Sequence, residues 1–187
     1  MRWPELRAAT LVLGNFVAEP FYGELRTHQQ LGYIVSASTG QDEHTSVAYF
    51  IIQSGEHPAD EVEARAEAFI AQLPDMLGKL SGAEWQTLVG AASDKLKEKD
   101  KTIAERAGRL FVLAYDRSAD WSENEATLAA LGHLTKERTR EILAAALTPA
   151  TARSRTYLGF ARQHEPATPP KVTFTDRTAW KQTRKYE

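Results

Sequence analysis

Glu19-Pro20-Phe21-Tyr22-Gly23-Glu24-Leu25-Arg26-Thr27-His28-Gln29-Gln30-Leu31-Gly32-Tyr33-Ile34-Val35 is the stretch around which the chain is organised. Upstream of it, and into it, apolar residues recur at helical spacing: Ala9, Val12, Leu13, Phe16, Val17, Phe21 and Leu25. Pro20 is expected to break or bend that helix, because it removes an amide donor and crowds the preceding turn. Gly32 marks a turn, and Tyr33 to Ser38 has the composition of a strand. Arg26 and Tyr33 stand at this helix–strand joint, and neither helix nor strand packing demands them.

Working outward, Thr39 to His44 is polar and turn-rich, and Ser46 to Ser54 reads as a second strand. The two strands and their short link predict an antiparallel hairpin. The second strand is apolar on both faces, which predicts a central position covered on each side. Pro58 starts a helix whose stripe runs Val62, Ala66, Phe69, Ile70, Leu73, Met76, Leu77, Leu80, with a kink expected at Pro74. Ser81 to Glu84 is a capping box opening a helix with Trp85, Leu88, Val89, Ala92 and Leu96 inward. A further helix carries Ile103, Ala107, Leu110, Phe111 and Ala114. Asp116 to Ser122 is a loop anchored by Trp121, and two short helices follow, Glu123 to Leu131 and Lys136 to Leu147. Tyr157 to Phe160 suggests a third strand. The order predicts an α+β fold with helices against one face of a small mixed or antiparallel sheet. One domain is expected over 1–164, followed by a proline-rich linker and tail over 165–187.

Composition narrows the chemistry. The chain has 187 residues, enough for one core that buries roughly 70% of the surface its unfolded form exposes. It contains no cysteine, which removes disulfides, thiolate metal sites and cysteine nucleophiles without fixing a compartment. The formal net charge is -2, which points to no nucleic-acid partner. No apolar run approaches the roughly 20 residues that span a bilayer, so no membrane role is expected. The opening residues Met1 to Glu5 carry no signal-peptide pattern.

Residue patterns for catalysis are sparse. The five histidines, His28, His44, His57, His133 and His164, include no helical pair and no H-x-x-E-H or H-E-x-x-H, so no metal site is expected within this chain. There is no G-x-S-x-G elbow, and Ser54-Gly55-Glu56-His57 reads as turn chemistry rather than a nucleophile and its base. Arg26 and Tyr33 remain. Read plainly, they are an arginine favoured near a helix C-terminus and a core strand tyrosine. Read functionally, a guanidinium and a phenol at one joint could polarise a carbonyl or hold an oxyanion.

Leu25 to Val35, an L-R-T-x-x-Q-L-G-Y-I-V core, closely resembles the pitrilysin/insulysin (inverzincin) family of zinc metallopeptidases. Phe50 to Ser54, Val62 to Phe69 and Leu134 to Glu137 resemble that family's next strand, following helix and a late helix start, so the resemblance covers Leu11 to Ala161. Family members are long chains of four related α/β-roll domains. The resemblance implies that this chain is the fourth, non-zinc domain. It implies zinc in the N-terminal half, which is then the partner, and a peptide as substrate. Arg26 and Tyr33 would bind the substrate carbonyl and stabilise the oxyanion, and Tyr22 would line the chamber. Without the zinc motif the chain is expected to be inactive alone. The family's strand before the first helix is missing, so the chain is expected to be a fragment whose open sheet edge is covered by a homodimer or by its own tail. Relatives leave periplasmic and cytoplasmic locations both open. The competing reading is a binding or scaffold module that keeps the roll without catalysis. A more distant one is an independent small enzyme using Arg26, Tyr33 and a histidine.

Overall fold

A computed structural model describes residues 3–42 and 45–147, with 178 and 182 as isolated positions. The third strand expected at Tyr157 to Phe160, the linker and the tail lie outside the described residues. Helix α1 (Trp3–Tyr22) passes into a π-turn (Gly23–His28), then strands β1 (Ile34–Asp42) and β2 (Thr45–Gln53) form a hairpin. Helices α2 (Ala59–Ile70), α3 (Leu73–Lys79), α4 (Gly82–Lys97), α5 (Ile103–Tyr115), α6 (Glu123–His133) and α7 (Lys136–Leu147) complete the order. The fold is α+β, as the element order predicted.

Helix α1 is the hub. Its buried side runs Ala8, Ala9, Val12, Leu13, Phe16, Val17 and Phe21, and it packs on β1, α4, α6 and α7. Gly14 lets it lie close on the sheet: a Cβ there would meet the Thr39 Oγ1 at 2.4 Å. That hydroxyl donates instead to the Thr10 carbonyl at 2.9 Å. Phe21, fully buried, joins three elements through ring contacts to Phe50 at 5.2 Å and Phe69 at 5.7 Å. Leu73 and Leu77 of α3 and Leu143 of α7 extend the same core.

The hairpin is antiparallel, with Val35 opposite Ile52 and Ala37 opposite Phe50 on the covered face. The other face carries Ile34, Tyr49 and Ile51, all exposed. This corrects the expectation that β2 is covered on both sides. Among the described residues the sheet has two strands, so α1 covers one face and the opposite face is open.

Further details of the elements differ from the sequence reading. Pro20 does not break α1; the helix continues through it and widens into the π-turn three residues later. Pro74 does not kink one long helix but sits in the first turn of a separate one, α3, where its missing N–H costs nothing. Helix α5 carries the apolar residues expected of it but leaves them in the open: Ile103 is 90% and Phe111 59% exposed, and Leu113 is its one buried residue. The loop after α5 is likewise held not by Trp121, which is exposed, but by Arg117, which is 7% exposed.

Candidate functional site

The joint between α1 and β1 is built by backbone constraints in sequence. The π-turn closes with the Gln29 N–H donating to the Glu24 carbonyl at 2.9 Å and the Leu31 N–H donating to the Leu25 carbonyl at 2.8 Å. Leu25 and Leu31 are both fully buried and plug the turn into the core. Gln30 between them takes φ 51°, a left-handed conformation that reverses the chain within one residue. Gly32 then passes so close to β2 that a Cβ would stand 2.4 Å from the Gln53 carbonyl oxygen. The Tyr33 N–H donates to that same oxygen at 2.9 Å. Tyr33 is thereby tied to the end of β2, while Arg26 belongs to the π-turn that continues α1.

The outer side of the turn is buckled by Glu24. Its Oε1 accepts from the Gln29 side-chain amide at 2.9 Å and its Oε2 meets the His28 Nδ1 at 3.1 Å. These contacts, Gln29 first and His28 second, hold the Glu24 carboxyl below its ordinary range. Glu24, Gln29 and Gln30 were not singled out from the sequence. The i,i+4 spacing of Glu24 and His28 was the available signal.

Of the residues expected to act, Arg26 is half-buried on the π-turn, Tyr33 is 83% exposed, and Tyr22 is exposed at the end of α1. All three therefore sit at one end of α1 and the adjoining hairpin. Tyr33 is not the core tyrosine that the plainer reading offered. Neither the Arg26 guanidinium nor the Tyr33 hydroxyl enters a hydrogen bond or ion pair among the described residues; of the other described arginines, Arg7, Arg65, Arg109, Arg117, Arg138 and Arg140 are ion-paired and Arg106, on the exposed α5, is not. Two donors left uncommitted at an accessible joint can bind a carbonyl or an oxyanion.

Ser54 behaves as turn chemistry: its Oγ accepts the amides of Glu56 at 3.3 Å and His57 at 3.1 Å. His57 itself turns to Glu61, at 3.3 Å. Among the described residues no group of three or more His, Asp or Glu side chains could hold a metal ion. None of the described helices is long and apolar enough to cross a membrane.

Comparison with known proteins gives concordant matches. The family model for PQQ synthase PqqF-like, C-terminal lobe domain 4, matches residues 12–111. The chain is similar to Insulin-degrading enzyme-like 2 of Arabidopsis thaliana, 29% identical over 116 residues, covering 62% of this chain and 12% of that protein. It is similar to the human insulin-degrading enzyme, 27% identical over 123 residues, covering 66% of this chain and 12% of the other. Among solved structures, pitrilysin matches with a TM-score of 0.64 at 22% identity, over 74% of this chain and 15% of that one, which shows the fold. The chain thus spans about an eighth of the length of the curated relatives it matches.

Proposed function

Because the chain belongs to the PqqF-like family of C-terminal lobe domains, we propose that it is the C-terminal, non-zinc part of an inverzincin-type metalloendopeptidase. On this reading it closes the peptide chamber and lends Arg26 and Tyr33 to a site completed by the N-terminal half. The observation that carries the reading is the pair of uncommitted donors at the α1–β1 joint, in the segment that most closely resembles the peptidase family. The guanidinium would bind the substrate carbonyl, and the phenol would donate to the oxygen as it takes up negative charge. Both interactions strengthen as charge develops, which is the condition for accelerating the chemical step. Tyr22 would line the chamber wall. The zinc of the complete enzyme would supply the activated water from the other half. On this reading the residues of this chain bind and orient the substrate.

The open face of the hairpin and the exposed stripe of α5 are the surfaces that the N-terminal half would cover, since a domain cut from a larger assembly presents such mixed and apolar faces. The test is peptidase activity on a quenched fluorescent peptide, with zinc, for this chain alone, the N-terminal half alone, and the mixture. Activity is expected only in the mixture. Arg26→Ala or Tyr33→Phe should lower kcat by about 10²–10³-fold, the usual effect of losing one oxyanion donor. Activity of the N-terminal half that this chain leaves unchanged would instead make the chain a scaffold module. Activity in this chain alone would overturn the reading.

A further inference from the structure

Gln30 is held in a conformation that its residue type does not favour. Among the described residues three non-glycine positions have positive φ: Gln30 at 51°, Ser118 at 51° and Ala119 at 58°. The last two follow α5, and Gln30 is the one at the α1–β1 joint. The fold dictates the conformation there. Leu25 and Leu31 are both fully buried, and the Leu31 N–H reaches back to the Leu25 carbonyl at 2.8 Å. A chain that turns back so sharply at a helix end places its reversing residue in the left-handed region. The fold does not dictate the residue. Helix ends of this kind use glycine, or asparagine, whose short side chain can bond locally. The segment does use glycine two residues later, at Gly32, where β2 comes close. At position 30 it carries a glutamine, at a cost in stability.

The side chain gives the fold nothing in return. It is exposed, and it makes no hydrogen bond among the described residues. Its neighbour Gln29, by contrast, donates to the Glu24 Oε1 at 2.9 Å. Backbone conformations held against preference collect at positions that contact ligands. Gln30 follows Arg26 by four residues and precedes Tyr33 by three, and its chemistry complements theirs. A guanidinium has five donors and no acceptor, and on the reading above the Tyr33 hydroxyl is engaged as a donor. A substrate peptide group withdrawn from water also brings an N–H, which then needs an acceptor. A carboxamide carries one acceptor oxygen and two N–H donors. It can therefore pair with a main-chain peptide group whatever side chains flank that group, and without a charge that titrates.

We propose that Gln30 is a further substrate-binding residue of the joint, its carboxamide oxygen accepting a main-chain N–H of the peptide beside the scissile bond. This rests on the peptidase reading given above and adds to it the acceptor that Arg26 cannot supply. The contact is made to the ground state and the transition state alike, so it governs substrate affinity rather than the chemical step.

The test uses the 187-residue chain mixed with the N-terminal half, zinc and the quenched fluorescent peptide. Glycine suits a left-handed position, so Gln30→Gly should raise the melting temperature of the chain by roughly 1–4 °C. In the mixture it should raise KM about five- to tenfold, the usual effect of losing one neutral hydrogen bond, and leave kcat within about twofold. A purely structural glutamine predicts otherwise: the more stable variant would keep full activity. To read the contact itself, the peptide bonds flanking the scissile one are replaced singly by esters, which lack the N–H. One such ester should raise KM about five- to tenfold for the wild-type chain and less than about twofold for Gln30→Gly. Equal penalties in both chains at every position, or an unchanged KM in Gln30→Gly, would overturn the proposal. Arg26→Ala, run in parallel, reports on the peptidase reading separately. If the mixture is inactive, the same peptide is titrated into the chain alone while the side-chain NH2 resonances of Gln30 are followed. A saturable shift there, lost with the ester analogue, supports the contact, and no shift overturns it.

Discussion

Gly32 shows how one missing side chain sets the position of another. With only hydrogen on its α-carbon, the chain can lie against the Gln53 carbonyl, and the next amide, that of Tyr33, closes a hydrogen bond to the same oxygen. Gly32→Ala would put a Cβ 2.4 Å from a backbone atom that cannot move aside as a side-chain tip can. A cost of about 1–3 kcal/mol is expected from such overpacking, measurable by urea unfolding. Peptidase activity of the reconstituted mixture should fall more than stability alone explains, because the segment that carries Tyr33 is displaced. The neighbouring donor, Arg26, was visible in the sequence as an arginine without a structural demand. That it is left unpaired in the fold was not, because pairing depends on which distant acids come near, and spacing along the chain does not encode that.

At the scale of elements, the π-turn is the segment that carries Arg26. Its outer side is fastened by Glu24, whose carboxylate accepts from Gln29 and His28. These bonds favour the ionised form and lower the Glu24 pKa in the folded state. The stabilisation is therefore fully present above the ordinary value of 4.5 and is lost as pH falls through the lowered folded value. On acidification below about pH 4, exchange of the Gln29 and Leu31 amides should accelerate before that of the α1 core. In Glu24→Ala the two amides should exchange fast at every pH; unchanged protection in that variant would show that the buckle contributes nothing. The helices and the hairpin were readable because their apolar periods of 3.6 and 2 survive in the sequence. Periodicity reports that a face is apolar, not what covers it. That is why the outer face of β2 reads as covered and is found open, and why the stripe of Ile103, Leu110 and Phe111 gives no sign in the sequence that it stands exposed. The Trp3–Glu123–Arg7–Thr127 network was equally hidden, since it joins residues 120 apart in sequence.

For the whole molecule, the distribution of packing predicts how it meets a partner. The core is concentrated on α1, whereas α5 makes little use of its apolar face. Phe111→Gln should therefore leave unfolding stability within about 0.5 kcal/mol, as for exposed positions generally. Association with the N-terminal half should weaken roughly tenfold, as when an aromatic anchor is lost from an interface. Sedimentation or calorimetry of the mixture measures the second effect, and equal affinity would place the docking surface elsewhere. One consequence of the joint described above concerns motion rather than contact. Arg26 rides on the extension of α1, and Tyr33 is tethered to the far end of β2. The two residues are thus carried by different elements, and on the proposed reading a substrate held by both would bridge helix and hairpin. Such a bridge would resist any slide of one along the other, so occupancy at one end of the domain would be felt as stiffness along its central helix.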